Sequence, residues 1–200
     1  MPPWRNQLTA APDALMLSAM DTTKKLTRTT LALHWLIAPS ILGLCALGIY
    51  MVRTESWGLF HWHKSIGLLL FTVVLARLVL RLRQGLPPPV RASARWEHIA
   101  SQAAHWLLLA ATVLLPVTGM IYSGFGGHGF GIFGMEIVDS HYVAGKAVPA
   151  NERLSIFGQS MHSWIGYGLL ALVALHIGAA LKHHFIDKDG TLRRMLGKTL

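Results

Sequence analysis

The hydropathy pattern divides the chain into four long apolar segments joined by polar ones. Residues 31–52, 103–122 and 154–181 contain no charged residue, and each is long enough to cross the ~30 Å hydrocarbon core of a bilayer as a helix. Residues 60–82 have a similar length, although charges lie near both of their ends. The pattern predicts an all-α membrane protein, a bundle of four transmembrane helices. These helices are expected near residues 31–52, 60–82, 103–122 and 158–182.

Charge within the second segment requires an explanation, because a charged side chain in a bilayer is costly. Lys64 lies near one end of the segment, and Arg77 and Arg81 lie near the other. Long basic side chains at such positions must either extend to the membrane surface or face the interior of the bundle. We interpret the segment as a span whose charges serve a function inside the membrane.

Positive charge is concentrated in three of the five polar segments. The N-terminal segment, the loop between the second and third spans and the C-terminal tail are basic, whereas the other two loops are nearly neutral. Because short cytoplasmic loops carry the excess of Lys and Arg, both termini are predicted to be cytoplasmic. Residues 1–25 are expected to form a loose cytoplasmic tail, 26–186 the transmembrane domain and 187–200 a basic cytoplasmic tail.

The composition supports a membrane protein and argues against other classes. Hydrophobic residues make up 52% of the chain and charged residues 14%, which is too apolar for an ordinary soluble domain. The net charge of +9 does not indicate nucleic-acid binding, since the basic residues cluster beside the ends of the spans. The single cysteine, Cys45, lies in an apolar segment, so the chain has no disulfide framework.

Histidines fall at two depths of the predicted bundle. His162 and His176 lie fourteen positions apart in the last span, so they share a helix face and are separated by about 21 Å along its axis. His63 opens the second span at the depth of His162, and His34 begins the first span at the depth of His176. Neutral imidazole is a good axial ligand for haem iron, so two pairs at two depths indicate two haem sites.

Two of these ligand positions have rivals. His105 has a depth similar to that of His34 and could replace it as the partner of His176. His61 is a weaker rival of His63, because two residues apart on a helix is about 200° of rotation and only one of them can face the bundle.

Gly67 and Gly166 each follow a candidate ligand by four residues. A missing side chain one turn away on the same face would let a flat cofactor approach the backbone. Glycines are also common at plain contacts between membrane helices, and a histidine in a membrane helix can carry protons. Proton relay and metal transport are therefore alternatives to haem binding.

At these residues the chain resembles the bacterial cytochrome b561 family, small inner-membrane proteins with four helices and two b-type haems. The order and spacing of several short pieces, rather than any single piece, carry the resemblance. The pieces are Leu33-His34-Trp35-Leu36, His63-Lys64-Ser65-Ile66-Gly67, Leu115-Pro116-Val117-Thr118-Gly119 and a block that runs from His162 through His176 to Met195. The resemblance implies a multi-pass protein of the bacterial inner membrane.

The resemblance also implies a pairing and an activity. In related cytochrome b subunits the first helix pairs with the inner ligand of the fourth helix, which favours His34 over His105. Electron transfer to ubiquinone is implied, with superoxide as the donor by analogy with a small stand-alone member of the family. The alternative is a cytochrome b anchor and electron conduit for a periplasmic dehydrogenase or hydrogenase.

Further residues receive roles from this interpretation. Arg77 and Arg81 are expected to bind haem propionates, or otherwise lipid phosphate. Lys64 and Arg53 would attract superoxide, and the long glycine-rich connection 123–153 would form a lid or a docking surface. An apolar cleft with a few polar groups would bind ubiquinone. Its candidates are Lys182, His183 and His184 at the inner edge and Trp62 and Trp164 at the outer edge.

Overall fold

The computed structural model describes residues 26–87, 90 and 94–198. Within this part of the chain four helices are long and apolar enough to cross a membrane, which confirms the predicted four-helix membrane fold. The predicted tail 1–25 lies outside the described residues, as do Pro88, Pro89 and Arg91 of the basic loop. The four helices are α1 (Arg28–Thr54), α2 (Phe60–Gln84), α3 (Arg95–Phe125) and α4 (Glu152–Phe185).

The helices extend beyond the predicted spans, most of all at the start of α3 and α4. Polar residues continue these helices outside the hydrocarbon region, where hydropathy no longer marks them. Side chains cap the N-termini of α1 and α4. The Asn151 side-chain oxygen accepts the N–H of Leu154 at 3.1 Å, and the Thr27 hydroxyl accepts the N–H of Thr30 at 3.2 Å.

The buried core is small and lies along the bundle axis. All four helices contribute to it through Ile37, Ile41, Leu44, Leu70, Val74, Leu115 and Leu169. Many other large apolar side chains are exposed, including Trp164 and Leu175 of α4. A helix in lipid needs no polar outer face, so this distribution is the one expected of a membrane bundle.

The α3–α4 pair has the most extensive helix–helix contact. Gly158 of α4 makes the approach possible, because a Cβ there would lie 2.6 Å from the Tyr122 nitrogen and 3.0 Å from the Thr118 oxygen. The Ser155 hydroxyl donates to the Tyr122 carbonyl at 3.2 Å in the same region. The backbone of α4 therefore lies directly on that of α3, one turn before His162.

The connection between α3 and α4 contains two antiparallel hairpins that the sequence analysis did not predict. Strand β1 (Phe130–Ile132) pairs with β2 (Met135–Val138), and β3 (Tyr142–Val143) pairs with β4 (Lys146–Ala147). We call the end of the bundle that carries them the hairpin end. The strands are too short to produce a clear alternating pattern, which is why periodicity did not reveal them.

The opposite end of the bundle, where α1 begins and α4 ends, is the terminal end. A short helix, α5 (Thr191–Met195), lies there. The Trp35 indole N–H donates to the Met195 carbonyl at 2.8 Å, so α5 is attached to α1. At the hairpin end a single 3-10 turn, Trp57–Leu59, joins α1 to α2.

Candidate functional site

The structure brings together both predicted histidine pairs. His63 of α2 and His162 of α4 lie toward the hairpin end with ring centres 6.2 Å apart. His34 of α1 and His176 of α4 lie toward the terminal end with ring centres 6.4 Å apart. Helix α4 therefore presents one imidazole to α2 and another to α1, at two depths of the bundle.

The ring separations fit two imidazoles on opposite sides of one metal ion. A metal–imidazole bond is about 2 Å long and the nitrogen lies about 1 Å from the ring centre, so opposed rings have centres about 6 Å apart. Both observed distances are close to this value. Within the described residues no group of three or more His, Cys, Asp or Glu side chains could hold a bare metal ion. The arrangement suits a metal that brings its own equatorial ligands, as haem does.

Helix α3 orients the imidazole of His162. Its Nδ1 lies 2.7 Å from the Leu115 carbonyl oxygen, which can only accept, so Nδ1 carries the proton and donates it. The Thr118 hydroxyl lies 3.4 Å from the same nitrogen. This tautomer leaves the lone pair of Nε2 free for a metal, which is the usual arrangement for a ligating histidine.

A cavity of about 310 Å³ surrounds the pair at the hairpin end. Its volume falls at the lower end of the range of cofactor pockets. His63 and His162 line it together with glycines from all four helices, which are Gly48, Gly67, Gly119 and Gly166. Apolar side chains form most of the remaining wall, so the cavity can accept a flat and largely apolar group.

The four glycines act in two ways. Among the described residues a Cβ at Gly67 would meet nothing within 4 Å, and one at Gly166 would meet only Leu115 at 3.7 Å, so both leave open space in the cavity. Gly48 and Gly119 lie against the imidazoles themselves, with a Cβ at Gly119 only 3.1 Å from His162. Sequence reasoning gave these two no role because neither stands near a histidine along the chain.

Three histidines, rather than two, gather toward the terminal end. The ring centre of His105 lies 5.3 Å from that of His176, closer than the opposed geometry requires. Its Nδ1 lies 2.6 Å from the Ser101 carbonyl oxygen and donates to it, which leaves Nε2 free. Ring separation favours His34 as the partner of His176, whereas the tautomer of His105 also suits a ligand.

The two arginines of α2 differ in their contacts. A guanidinium nitrogen of Arg77 lies 3.4 Å from Nδ1 of His34 and can only donate to it. Arg81 donates to the carbonyl of Gly85 at the end of its own helix, at 3.3 Å. Arg77 therefore lies beside His34, and Arg81 lies one turn farther along α2.

Lys64, which was expected to attract superoxide, contacts the connection between α3 and α4. Its ammonium donates to the carbonyls of His128 and Gly129, at 3.0 and 2.7 Å, and lies over the Phe60 ring. Lys64 thus holds the connection 123–153 against α2. Arg53, by contrast, is exposed at the end of α1.

His128 belongs to an aromatic cluster between the connection and the helices. Its Nδ1 lies 3.0 Å from the Tyr142 hydroxyl, and its ring packs against Phe60 and Tyr122. Burial, together with the positive charge of Lys64, lowers the pKa of His128 below its ordinary value. The imidazole is therefore neutral at physiological pH and can exchange a hydrogen bond with the phenol.

The residues predicted to bind ubiquinone occupy varied surroundings. At the terminal end Lys182 pairs with Asp187 at 2.9 Å and with Glu97 at 3.4 Å, while His183 faces Asp187 at 2.9 Å and Asp189 at 3.3 Å. His184 packs against Phe185, with ring centres 4.8 Å apart. Carboxylates thus engage the ammonium of Lys182, whereas Nδ1 of His183 lies near two carboxylates without a hydrogen bond.

The aromatic candidates at the other end are exposed on the outside of the bundle. Trp62 contacts Phe133 of the first hairpin, and Trp164 is 73% exposed. His61, the weaker rival of His63, is also exposed, and its Nδ1 lies 2.9 Å from the Gly58 carbonyl. Of this pair, His63 lines the cavity and His61 does not, which agrees with the expectation that only one of them faces the bundle.

Comparison with known proteins identifies relatives over most of the chain. The family model for prokaryotic cytochrome b561 matches residues 25–198. "Cytochrome b561 homolog 2" of Escherichia coli is 34% identical over 84% of this chain and 89% of that protein. "Cytochrome b561 homolog 1" of Escherichia coli is 25% identical over 86% and 97%, and "Probable superoxide oxidase CybB" of Yersinia pestis is 24% identical over 88% and 97%.

Proposed function

Because this chain belongs to the prokaryotic cytochrome b561 family, we propose that it binds two haem b groups and transfers electrons from superoxide to ubiquinone. Family membership makes it a multi-pass electron-transfer protein of the bacterial inner membrane that uses haem b. The number of haems, the donor, the acceptor and the ligands are our proposal. The observation that carries it is the pair of histidine couples at opposite ends of the bundle, with ring centres 6.2 and 6.4 Å apart.

The ligands at the hairpin end would be His63 and His162, with Gly67 and Gly166 leaving room for the ring. Haem b, when bound, supplies reversible one-electron transfer. The chain's own contribution is to fix the imidazoles: Leu115 holds Nδ1–H of His162, and Gly48 lies beside the ring of His63. Two such sites, separated along α4 by about 21 Å between ligand levels, connect the two faces of the membrane.

The ligands at the terminal end would be His34 and His176. If Nε2 of His34 binds iron, its Nδ1 must carry the proton and can no longer accept from Arg77. The guanidinium must then donate to another acceptor, and a carboxylate on the haem edge is one that suits its planar fork. This reasoning supports Arg77 as a propionate partner, with Arg81 one turn farther out in the same role.

Superoxide as donor rests on the name of one relative and on the charges near the hairpin end. "Probable superoxide oxidase CybB" is a relative of 24% identity. In the proposed reaction two superoxide anions each lose one electron and become dioxygen, while ubiquinone gains two electrons and two protons. A positive potential from Lys64 and Arg53 would attract the anion. The basic residues Arg83, Arg95, Lys182 and Arg193 of the terminal end support placing both termini in the cytoplasm.

An electron conduit for a periplasmic dehydrogenase or hydrogenase is the second candidate function. The hairpin β3–β4 favours it, since Tyr142 and Val143 are 52% and 58% exposed and offer a contact surface for a donor protein. Both functions need the haems, so only the donor distinguishes them.

Two experiments test the proposal in order. Pigment analysis of the purified protein should give about two haems per chain, and His63→Ala and His162→Ala should lose the same one. Protein mixed with a superoxide source and oxidised ubiquinone should then form quinol. A preparation from haem-replete cells that contains no haem would refute the cofactor assignment, and haems that superoxide fails to reduce while a co-purifying dehydrogenase reduces them would establish the conduit.

Charge-reversal variants separate attraction of superoxide from support of the loop. If positive potential speeds the reaction, Lys64→Glu and Arg53→Glu should both slow haem reduction by superoxide, more so at low ionic strength. Lys64 also holds the carbonyls of His128 and Gly129, whereas Arg53 is exposed. A rate that falls only in Lys64→Glu and does not respond to salt would show a structural role instead.

A further inference from the structure

The first hairpin, β1–β2, has one apolar face that none of the described residues covers. Met135 and Ile137 alternate along β2 and so share a face, on which they are 70% and 60% exposed. Phe133 at the tip is 51% exposed. Glu136 lies between them on the other face, where the Ser140 hydroxyl donates to it at 2.8 Å and Lys64 interacts with its charge.

The tip of this hairpin lies alongside a membrane-spanning helix. The Phe133 N–H donates to the Ser65 hydroxyl at 3.0 Å, and that hydroxyl donates to the Gly131 carbonyl at 3.4 Å. Ser65 stands about 7.5 Å along the axis from the beginning of α2 and farther from the hairpin end than the candidate ligand His63. The tip therefore reaches the depth of the cavity rather than lying above the bundle.

The position of the bilayer on α2 follows from its charges. About 20 helical residues cross the hydrocarbon core. Counted back from Arg81, the basic residue near the terminal end, this length reaches Trp62, which is 47% exposed and of the type enriched at membrane interfaces. The Phe133 ring lies 5.4 Å from that of Trp62. The exposed apolar face of the hairpin thus continues the surface that α2 presents to lipid.

Phe133, in the turn of the hairpin, has a left-handed backbone conformation that is unfavourable for a bulky residue. Phe133 and Gly134 have φ angles of 46° and 94°, as in a two-residue turn that favours asparagine and glycine. A bulky side chain in the left-handed region is strained, and strain that persists suggests a function for the residue. The second hairpin has Ala144 and Gly145 at the same two positions, with φ angles of 48° and 75°.

We propose that the β1–β2 hairpin is inserted into the lipid bilayer, where Phe133, Met135 and Ile137 contact the acyl chains next to α2. Apolar side chains gain free energy on leaving water, which offsets the strain of the turn. Phe130 of the same hairpin lines the cavity around His63 and His162. Insertion would therefore hold Phe130, and with it one wall of that cavity, in position from the lipid side. This effect does not depend on which electron donor the protein uses.

Spin labels on the full chain in lipid vesicles test the depth of the hairpin. Single cysteines replace Met135 in one protein and Val143 of the second hairpin in the other, both in a Cys45→Ala background. We expect the label at 135 to collide readily with apolar oxygen and poorly with a water-soluble nickel chelate, and the label at 143 to show the reverse. Equal access of the chelate to both labels would refute insertion. Protection of position 135 only after a soluble protein is added would refute it in favour of protein docking.

A second pair of variants separates insertion from turn conformation. Phe133→Asn and Ala144→Asn place the same turn-favouring residue at equivalent positions, so both relieve backbone strain. Only Phe133→Asn removes an apolar side chain from lipid, and it should raise the fraction of label at 135 open to the chelate about tenfold. No change in that fraction would show that Phe133 does not anchor the hairpin.

Discussion

Replacing Gly119 by alanine tests whether the glycines of α3 position a haem ligand. The added Cβ would lie 3.1 Å from both Cε1 and Nδ1 of His162, whereas ordinary contacts are about 3.5–4.0 Å. The imidazole must therefore shift, and its 2.7 Å hydrogen bond to Leu115 shifts with it. Loss of such a partner typically weakens metal binding about 10–100-fold, so we expect at least a tenfold loss of affinity, about 1.4 kcal/mol, at this one site.

The matched control is Gly168→Ala on α4, where a Cβ meets nothing within 4 Å. Both substitutions favour the helix by up to about 1 kcal/mol, so a difference between them reports on the imidazole and not on helix propensity. Haem content and redox difference spectra of the purified proteins provide the measurement. Gly168→Ala should keep both haems, while Gly119→Ala should hold one haem at least tenfold more weakly and leave the spectrum of the other unchanged. Full retention of both haems with unaltered potentials in Gly119→Ala would refute the reasoning.

Three further predictions concern the terminal end. His34→Ala should remove one haem and His105→Ala neither, as measured by haem content; the opposite result would make His105 the ligand. Arg77→Gln should lower the midpoint potential of that haem by tens of millivolts, because a nearby positive charge favours the reduced form, whereas Arg83→Gln, exposed at the end of α2, should not. The hydrogen bond from the Lys182 ammonium lowers the pKa of Asp187. The contact between these two residues therefore persists above the ordinary carboxyl pKa and is lost as pH falls through the lowered one. Hydrogen exchange in residues 187–198 should become faster over that fall in pH, and Asp187→Asn should abolish the change.

The spans and the layering of histidines could be predicted because both are local properties of the sequence. An uncharged run of about 20 residues specifies a membrane helix without reference to the rest of the chain. Helical rotation and rise place His162 and His176 on one face at two depths, and the observed pairing with His63 and His34 follows from topology. The same periodicity predicted that only one of His61 and His63 can face the bundle.

Features that depend on which helices pack together could not be predicted in this way. Gly48 and Gly119 touch imidazoles of other helices, and nothing in their own neighbourhood along the chain indicates this. The hairpins escaped notice because their turns, Phe133-Gly134 and Ala144-Gly145, lack the usual Asn-Gly signal. The role predicted for Lys64, attraction of superoxide, came from its charge alone. Its hydrogen bonds go to a connection 64 residues farther along the chain.

The two ends of the bundle hold their histidines by different means, and this difference bears on the direction of electron flow. At the hairpin end a backbone carbonyl and close glycines fix the rings, and the charge of Lys64 is directed toward loop carbonyls. At the terminal end a guanidinium lies 3.4 Å from His34. A fixed positive charge stabilises the reduced state of a neighbouring redox group, so this end should hold the electron more strongly. Electrons that enter at the hairpin end would then move downhill toward the terminal end. The midpoint potential of Arg77→Gln tests this direction, whereas the haem content of His34→Ala tests only which residue is the ligand.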